Sequence, residues 1–116
     1  MSIYSEVILD HYHHPRNFGK LRKPDLNFKI INPLCGDEIE FFINFDGMVI
    51  KEICFYGKGC AISIASSSMF LNIIKGKNKD ELKKLDKEFI IKMLGIKIGL
   101  NRLKCALLPL GIVEKI

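Results

Sequence analysis

Between Glu38 and Tyr56 the chain alternates apolar with polar residues around a central Asp46-Gly47, a pattern that leaves little freedom in what it can fold into. Ile39, Phe41, Ile43 and Phe45 fall on one period-two face, and Val49, Ile53 and Phe55 on another, as in a pair of half-buried strands. Asp46-Gly47 joins them as a tight hairpin, because glycine tolerates the positive φ that such a turn needs. A further strand is predicted near Asn27 to Asn32. A sheet with an apolar face has to be covered, so the remaining chain must supply helices to cover it.

Those helices are legible from spacing. Tyr4, Val7, Ile8 and Tyr12 recur at helical intervals from Ile3 to Tyr12, and Pro15 forces the chain out of helix just after. Asn17 to Asp25, with Gly19 and Pro24, reads as a loop. Ala61 to Lys75 carries Ile62, Ala65, Met69 and Ile73 along one stripe, with Gly76 as a C-terminal stop. Asn78 or Asp80 opens a short helix through Lys84, and Asp86 caps another that runs through Leu94 and ends at Gly95. A last helix is expected from about Asn101, broken or kinked by Pro109. The expected fold is α+β: a three-stranded antiparallel meander packed against an N-terminal helix and a C-terminal helical region, as a single domain over residues 1–116.

A chain of 116 residues buries roughly 65% of its unfolded surface and folds without a disulfide or metal staple, so a metal here need not be structural. Its 48% hydrophobic and 27% charged residues are those of a globular protein, with no apolar run long enough to span a bilayer. The first residues lack a basic segment followed by an apolar core, so no secretory signal and a cytoplasmic location are expected, where cysteines stay reduced. The formal charge of +5 raises the prospect of a basic RNA-binding module. The lysines between Lys75 and Lys97 are interleaved with Asp80, Glu81, Asp86 and Glu88, however, as on a solvated helical face, and the expectation is no nucleic-acid and no membrane partner.

The chemistry lies in the cysteines. Cys35 sits in Asn32-Pro33-Leu34-Cys35-Gly36-Asp37, Cys60 in Gly57-Lys58-Gly59-Cys60, and Cys105 in Arg102-Leu103-Lys104-Cys105. Three thiolates and one carboxylate converging from distant segments would form a four-ligand site for zinc, iron or an iron-sulfur cluster. Cys35 and Asp37 can lean to one side of their segment, with Gly36 letting the backbone approach a ligand. A tight turn with a buried small cysteine is the plainer account of the same residues. Cys60 follows a Gly-x-Gly loop and starts a helix, where free N–H groups and the helix dipole favour a thiolate. Arg102 and Lys104 would do the same for Cys105, whose alternative is a core position among Leu103, Ala106 and Leu107. Cys54, inside the apolar Ile53-Cys54-Phe55, reads as packing. His11, His13 and His14 suit the end of the first helix electrostatically rather than a metal, with His11 the nearest to a ligand candidate. Ser66-Ser67-Ser68 reads as small residues for close helix packing. No Cys-x-x-Cys pair is present, which speaks against zinc ribbons and thioredoxin-like motifs.

These segments, together with Asp10-His11-Tyr12-His13-His14-Pro15-Arg16-Asn17-Phe18-Gly19 and Gly59-Cys60-Ala61-Ile62-Ser63-Ile64-Ala65-Ser66-Ser67-Ser68-Met69, resemble the IscU/SufU family, homologous to the NifU N-terminal domain. The resemblance implies an iron-sulfur cluster assembly protein that takes sulfur from a cysteine desulfurase and serves as scaffold or sulfur carrier toward apo iron-sulfur proteins or downstream assembly factors. It places zinc, iron or a [2Fe–2S] cluster on Cys35, Asp37, Cys60 and Cys105, and makes Cys35, Cys60 and Cys105 the candidate persulfide acceptors. A zinc-dependent sulfurtransferase is the alternative within the same resemblance.

The subtype rests on what precedes Cys105. The IscU pattern has His there and a Leu-Pro-Pro-Val-Lys motif upstream, whereas this chain reads Ile98-Gly99-Leu100-Asn101-Arg102-Leu103-Lys104-Cys105. Lys104 is the SufU-like choice, but the interval from Cys60 is too short for the segment SufU proteins usually insert. The reading is a SufU-like protein without the insertion. In it Asp37, harder than the thiolates, makes the site exchangeable, and Lys104 tunes it electrostatically, since an ammonium group offers no lone pair to a metal.

Overall fold

The computed structural model describes residues 5–33 and 35–116. Three strands, β1 (Leu26–Asn32), β2 (Asp37–Asp46) and β3 (Val49–Lys58), form an antiparallel sheet in the order β1-β2-β3. Helix α1 (Glu6–His13) precedes it; α2 (Ala61–Ile74), α3 (Lys79–Leu82), α4 (Lys87–Leu94), α5 (Leu100–Leu107), a 3-10 turn at Leu108–Leu110 and α6 (Gly111–Lys115) follow. This is the expected α+β meander with helical cover. The part of the first-helix reading that falls on Ile3 and Tyr4 lies outside the described residues. Among the described residues no helix is long and apolar enough to cross a membrane.

The hairpin forms one residue later than its sequence suggests. Asp46 pairs with Val49, so the two-residue loop is Gly47-Met48, with Gly47 at φ +62°. The face assignment of β3 also needs correction. Asn44 opposes Glu52 while Phe45 opposes Ile50, which leaves Lys51 as an extra residue. Such a bulge reverses the alternation, so Ile50 is fully buried with Ile53 and Phe55, whereas Val49 is 38% exposed. The outer edge of β3 is protected by other parts of the chain: Phe55 N donates to Asn17 O at 2.9 Å, Gly19 N to Phe55 O at 2.8 Å, and Gly76 N to Ile50 O at 2.9 Å.

Helix α2 is buried nearly all round rather than along the single stripe its aliphatic residues suggest. Ile62, Ile64, Ala65, Phe70, Leu71 and Ile74 are in the core, and Met69 and Ile73 of the expected stripe are only half-buried. A central helix of this kind shows little amphipathic contrast, because α1, α5, α4 and the sheet all contact it. Small side chains make the close approach possible, and they do more than fill space. Ser66 Oγ donates to Ala106 O at 2.6 Å, tying α2 to α5. His11 Nδ1 lies 2.7 Å from Ser68 Oγ, which also accepts from Arg16 N at 2.8 Å. His11, lowered in pKa first by burial and then by the Arg16 charge, is therefore an anchor between α1 and α2. Val7 and Tyr12 of α1 are exposed, and Ile8 is the residue it buries. Replacing Ser68 by Ala leaves the Arg16 amide and the His11 ring without their partner, and the urea unfolding midpoint should fall by an amount equivalent to about 1–3 kcal/mol with an unchanged denaturant slope.

Candidate metal centre

The strand register brings the site together. Asn32 and Asp37 are the terminal pair of β1 and β2, so the chain between them must reverse direction within four residues, one of which is Cys35. Gly36 permits this at φ +71°, in the left-handed region. Cys35 and Asp37 thus converge by way of a turn, the looped form of their expected segment. Leu34 of this segment lies outside the described residues.

Asp37 is fully buried, and its charge is matched by three donors. Oδ1 accepts from Cys60 N and lies beside Ser63 Oγ, both at 3.0 Å, and Oδ2 accepts from Asn32 Nδ2 at 3.3 Å. Cys60 is the N-cap of α2, so the carboxylate sits where the first amides and the dipole of a 14-residue helix favour an anion. Gly59 is required for this approach, because a Cβ there would overlap Ser63 Oγ and come within 2.8 Å of Asp37 Oδ1.

Cys105 arrives from α5, fully buried and held beside Asp37 by the α2–α5 packing. Its thiol is pushed well above the ordinary cysteine value, first by burial and then by hydrogen bonding with Cys35, Asp37 and Cys60. The expectation that neighbouring cations favour a thiolate at Cys105 is overturned: Arg102 and Lys104 are exposed, and burial of the Cys105 sulfur dominates.

One ligand atom each from Cys35, Asp37 and Cys105 lies within 4.8 Å of the others. A tetrahedral zinc site with Zn–S bonds of about 2.3 Å has sulfur–sulfur edges of roughly 3.8 Å, so closing this triangle takes shifts of about 1 Å. Two soft sulfurs and one hard oxygen suit zinc or iron. Cys60 stands next to this group but outside it. Its sulfur caps α2 by accepting from Ser63 N at 3.5 Å and lies 3.8 Å from Ser63 Oγ, while Cys35 Sγ donates to Asn101 O at 3.9 Å. Cys54 is buried on β3 opposite Phe42, as a packing residue. His13 and His14 are exposed, and among the described residues no histidine joins the group.

The sequence reading missed two residues of this site, Asn32 and Ser63. Ser63 was visible in principle as the third residue after an N-cap, the position whose amide a cap accepts from. Asn32 carried no signal of its own, because only the pairing of β1 with β2 sets it opposite Asp37.

The chain is similar to three known proteins, two in sequence and one in structure. The zinc-dependent sulfurtransferase SufU of Bacillus subtilis is 40% identical over 97 residues, covering 81% of this chain and 63% of its own length. The iron-sulfur cluster assembly scaffold protein IscU 1 of Archaeoglobus fulgidus is 37% identical over 93 residues, covering 80% and 61%. The chain therefore spans less than two thirds of the length of both. A crystal structure from Fervidobacterium islandicum, described as an iron-sulfur cluster assembly scaffold for the SUF system, superposes with a TM-score of 0.80 at 31% identity, covering 97% of this chain and 95% of that one. Residues 3–115 match the model of the NifU-like N terminal domain, and the chain belongs to that family.

Proposed function

We propose that this chain is an iron-sulfur cluster assembly protein that accepts sulfur from a cysteine desulfurase and serves as scaffold or carrier toward apo iron-sulfur proteins. The observation that carries this reading is the convergence of Cys35, Asp37 and Cys105 within 4.8 Å, beside Cys60 at the N-terminus of α2. Cys35, Asp37 and Cys105 would hold zinc or iron, and Cys60 supplies the fourth donor by giving up its weak contacts with Ser63. A bound ion supplies charge that keeps buried thiols deprotonated and nucleophilic. The chain's own part is to hold those sulfurs in a protected site and to make one ligand, Asp37, harder and more exchangeable than the rest. Lys104 is exposed and lines a surface cavity with Asn32 and Pro33.

A zinc-dependent sulfurtransferase is the second reading. It is favoured by the position of Cys60, a thiol close to the ligand group yet not part of it, and by the 40% identity to a relative with that name. Anaerobic purification followed by metal and acid-labile sulfide analysis separates the two: iron and sulfide in equal amounts support the scaffold, and stoichiometric zinc without sulfide supports sulfur transfer. Lack of both metal and sulfide, in a protein that also refuses added zinc, would exclude either reading. The SufU-like subtype without the insertion belongs with the zinc outcome.

Substitution should sort the cysteines. Cys35→Ser, Cys60→Ser and Cys105→Ser should each lose most of the bound zinc and most of the persulfide acquired from a desulfurase, whereas Cys54→Ser should retain both, as measured by metal analysis and by thiol mass labelling. Metal uptake should also depend on pH with a definite sign. Because the buried Cys105 thiol keeps its proton at neutral pH, an incoming ion must expel it, so apparent zinc affinity should rise by about tenfold per pH unit for that proton. Proton release on zinc addition, followed with an indicator in weak buffer, should be smaller in Cys105→Ser.

A further inference from the structure

Asn32 touches three of the candidate ligand residues without being one of them. Its carbonyl accepts from Cys35 N at 3.3 Å, and its side-chain Nδ2 donates to Asp37 Oδ2 at 3.3 Å and reaches Cys105 Sγ at 3.6 Å. Three of the four candidate ligand residues are thus connected through one residue that is only 8% exposed, Asp37 and Cys105 by its side chain and Cys35 by its backbone. The orientation of the carboxamide follows from Asp37: its carboxylate oxygen only accepts, so the amide nitrogen faces it, and the same nitrogen reaches the lone pairs of the Cys105 sulfur. The carboxamide has no charge and does not titrate, so it donates whether Cys105 is thiol or thiolate.

We propose that Asn32 is a positioning residue of the metal centre: its carboxamide holds Asp37 and Cys105 at ligand spacing before the ion arrives and keeps an N–H on the Cys105 sulfur afterwards. This rests on the metal-centre reading above. A carboxylate and a thiolate brought together as ligands repel, and a donor shared between them offsets that repulsion before the ion does. Partners of this kind, outside the ligand set but bonded to it, commonly change metal affinity by 10–100-fold when removed. An N–H on a coordinated sulfur also lowers the energy of its lone pairs, so its loss moves a sulfur-to-metal charge-transfer band to longer wavelength. A side chain that only fills space would not move that band.

Cobalt(II) titration of the unaltered protein and of Asn32→Ala, with zinc affinities from chelator competition, tests this. The expected result is a sulfur-to-cobalt band in both, at longer wavelength in Asn32→Ala, with zinc bound about 10–100-fold more weakly. A variant with the unaltered band and affinity overturns the role of Asn32 and leaves the metal centre standing. An unaltered protein without the band overturns the metal centre and Asn32 with it. Should Asn32→Ala lose its far-UV circular dichroism, the unaltered protein loaded with NMR-active cadmium decides: scalar coupling between cadmium and the Asn32 side-chain N–H supports the role, and an Asn32 amide whose signals ignore cadmium overturns it.

Discussion

A carboxylate buried without solvent has to be met by donors, and Asp37 at 0% exposure is met by three, one from the end of β1 and two from the start of α2. Leaving such a charge unmatched costs several kcal/mol, so the need to satisfy it constrains everything around it. Asn32 comes from the end of β1, the Cys60 amide from the N-cap of α2, and Ser63 from its first turn. The sheet register, the Gly57–Gly59 loop and the start of α2 are thereby locked together at one point. Two of the four candidate ligand residues, Cys35 and Cys60, are placed by that lock, and Cys105 is added by α5.

The central helix performs two tasks with one composition. Its serines let α1 and α5 approach closely, and the hydroxyls then bond to those neighbours, Ser66 to the Ala106 carbonyl and Ser68 to the α1 end. Its N-terminus faces the site, where the dipole and free amides favour negative charge. The hydrogen bond at Ser66 is next to Cys105 along α5, so the contact that holds the helix pair also sets the depth of the sulfur. That depth raises the Cys105 thiol pKa, so the sulfur beside the buried Asp37 keeps its proton until an ion displaces it.

Much of the fold was legible from local pattern. The alternation in β2, the glycines at 47, 76 and 95, and the caps at Asn78 and Asp86 all act over a few residues, and the structure has a turn, stop or cap at each of these places. The face of β3 was not legible, because a bulge at Lys51 is a property of the pairing with β2 and leaves no trace in the alternation of one strand. The stripe on α2 misled for a related reason: a helix packed nearly all round has little contrast between faces to mark. In the site, cysteine contexts singled out Cys35, Asp37 and Cys105, which the fold gathers, and Cys60, which stands beside them, but the ionisation of Cys105 was misjudged because sequence neighbours were counted and burial was not.

The sequence by itself determined the element order, the residue types able to hold a soft metal and, through ordered motifs spanning most of the chain, the family. Short-range forces govern these features, and short-range spacing records them. Only the tertiary structure decided that Asp37 is wholly desolvated, that Asn32 bridges it to Cys105 across more than seventy residues of chain, and that Cys60 stands beside the ligand group with its sulfur on Ser63. Burial and hydrogen bonding between distant segments depend on how sheet and helices pack, and no stretch of chain carries that information alone.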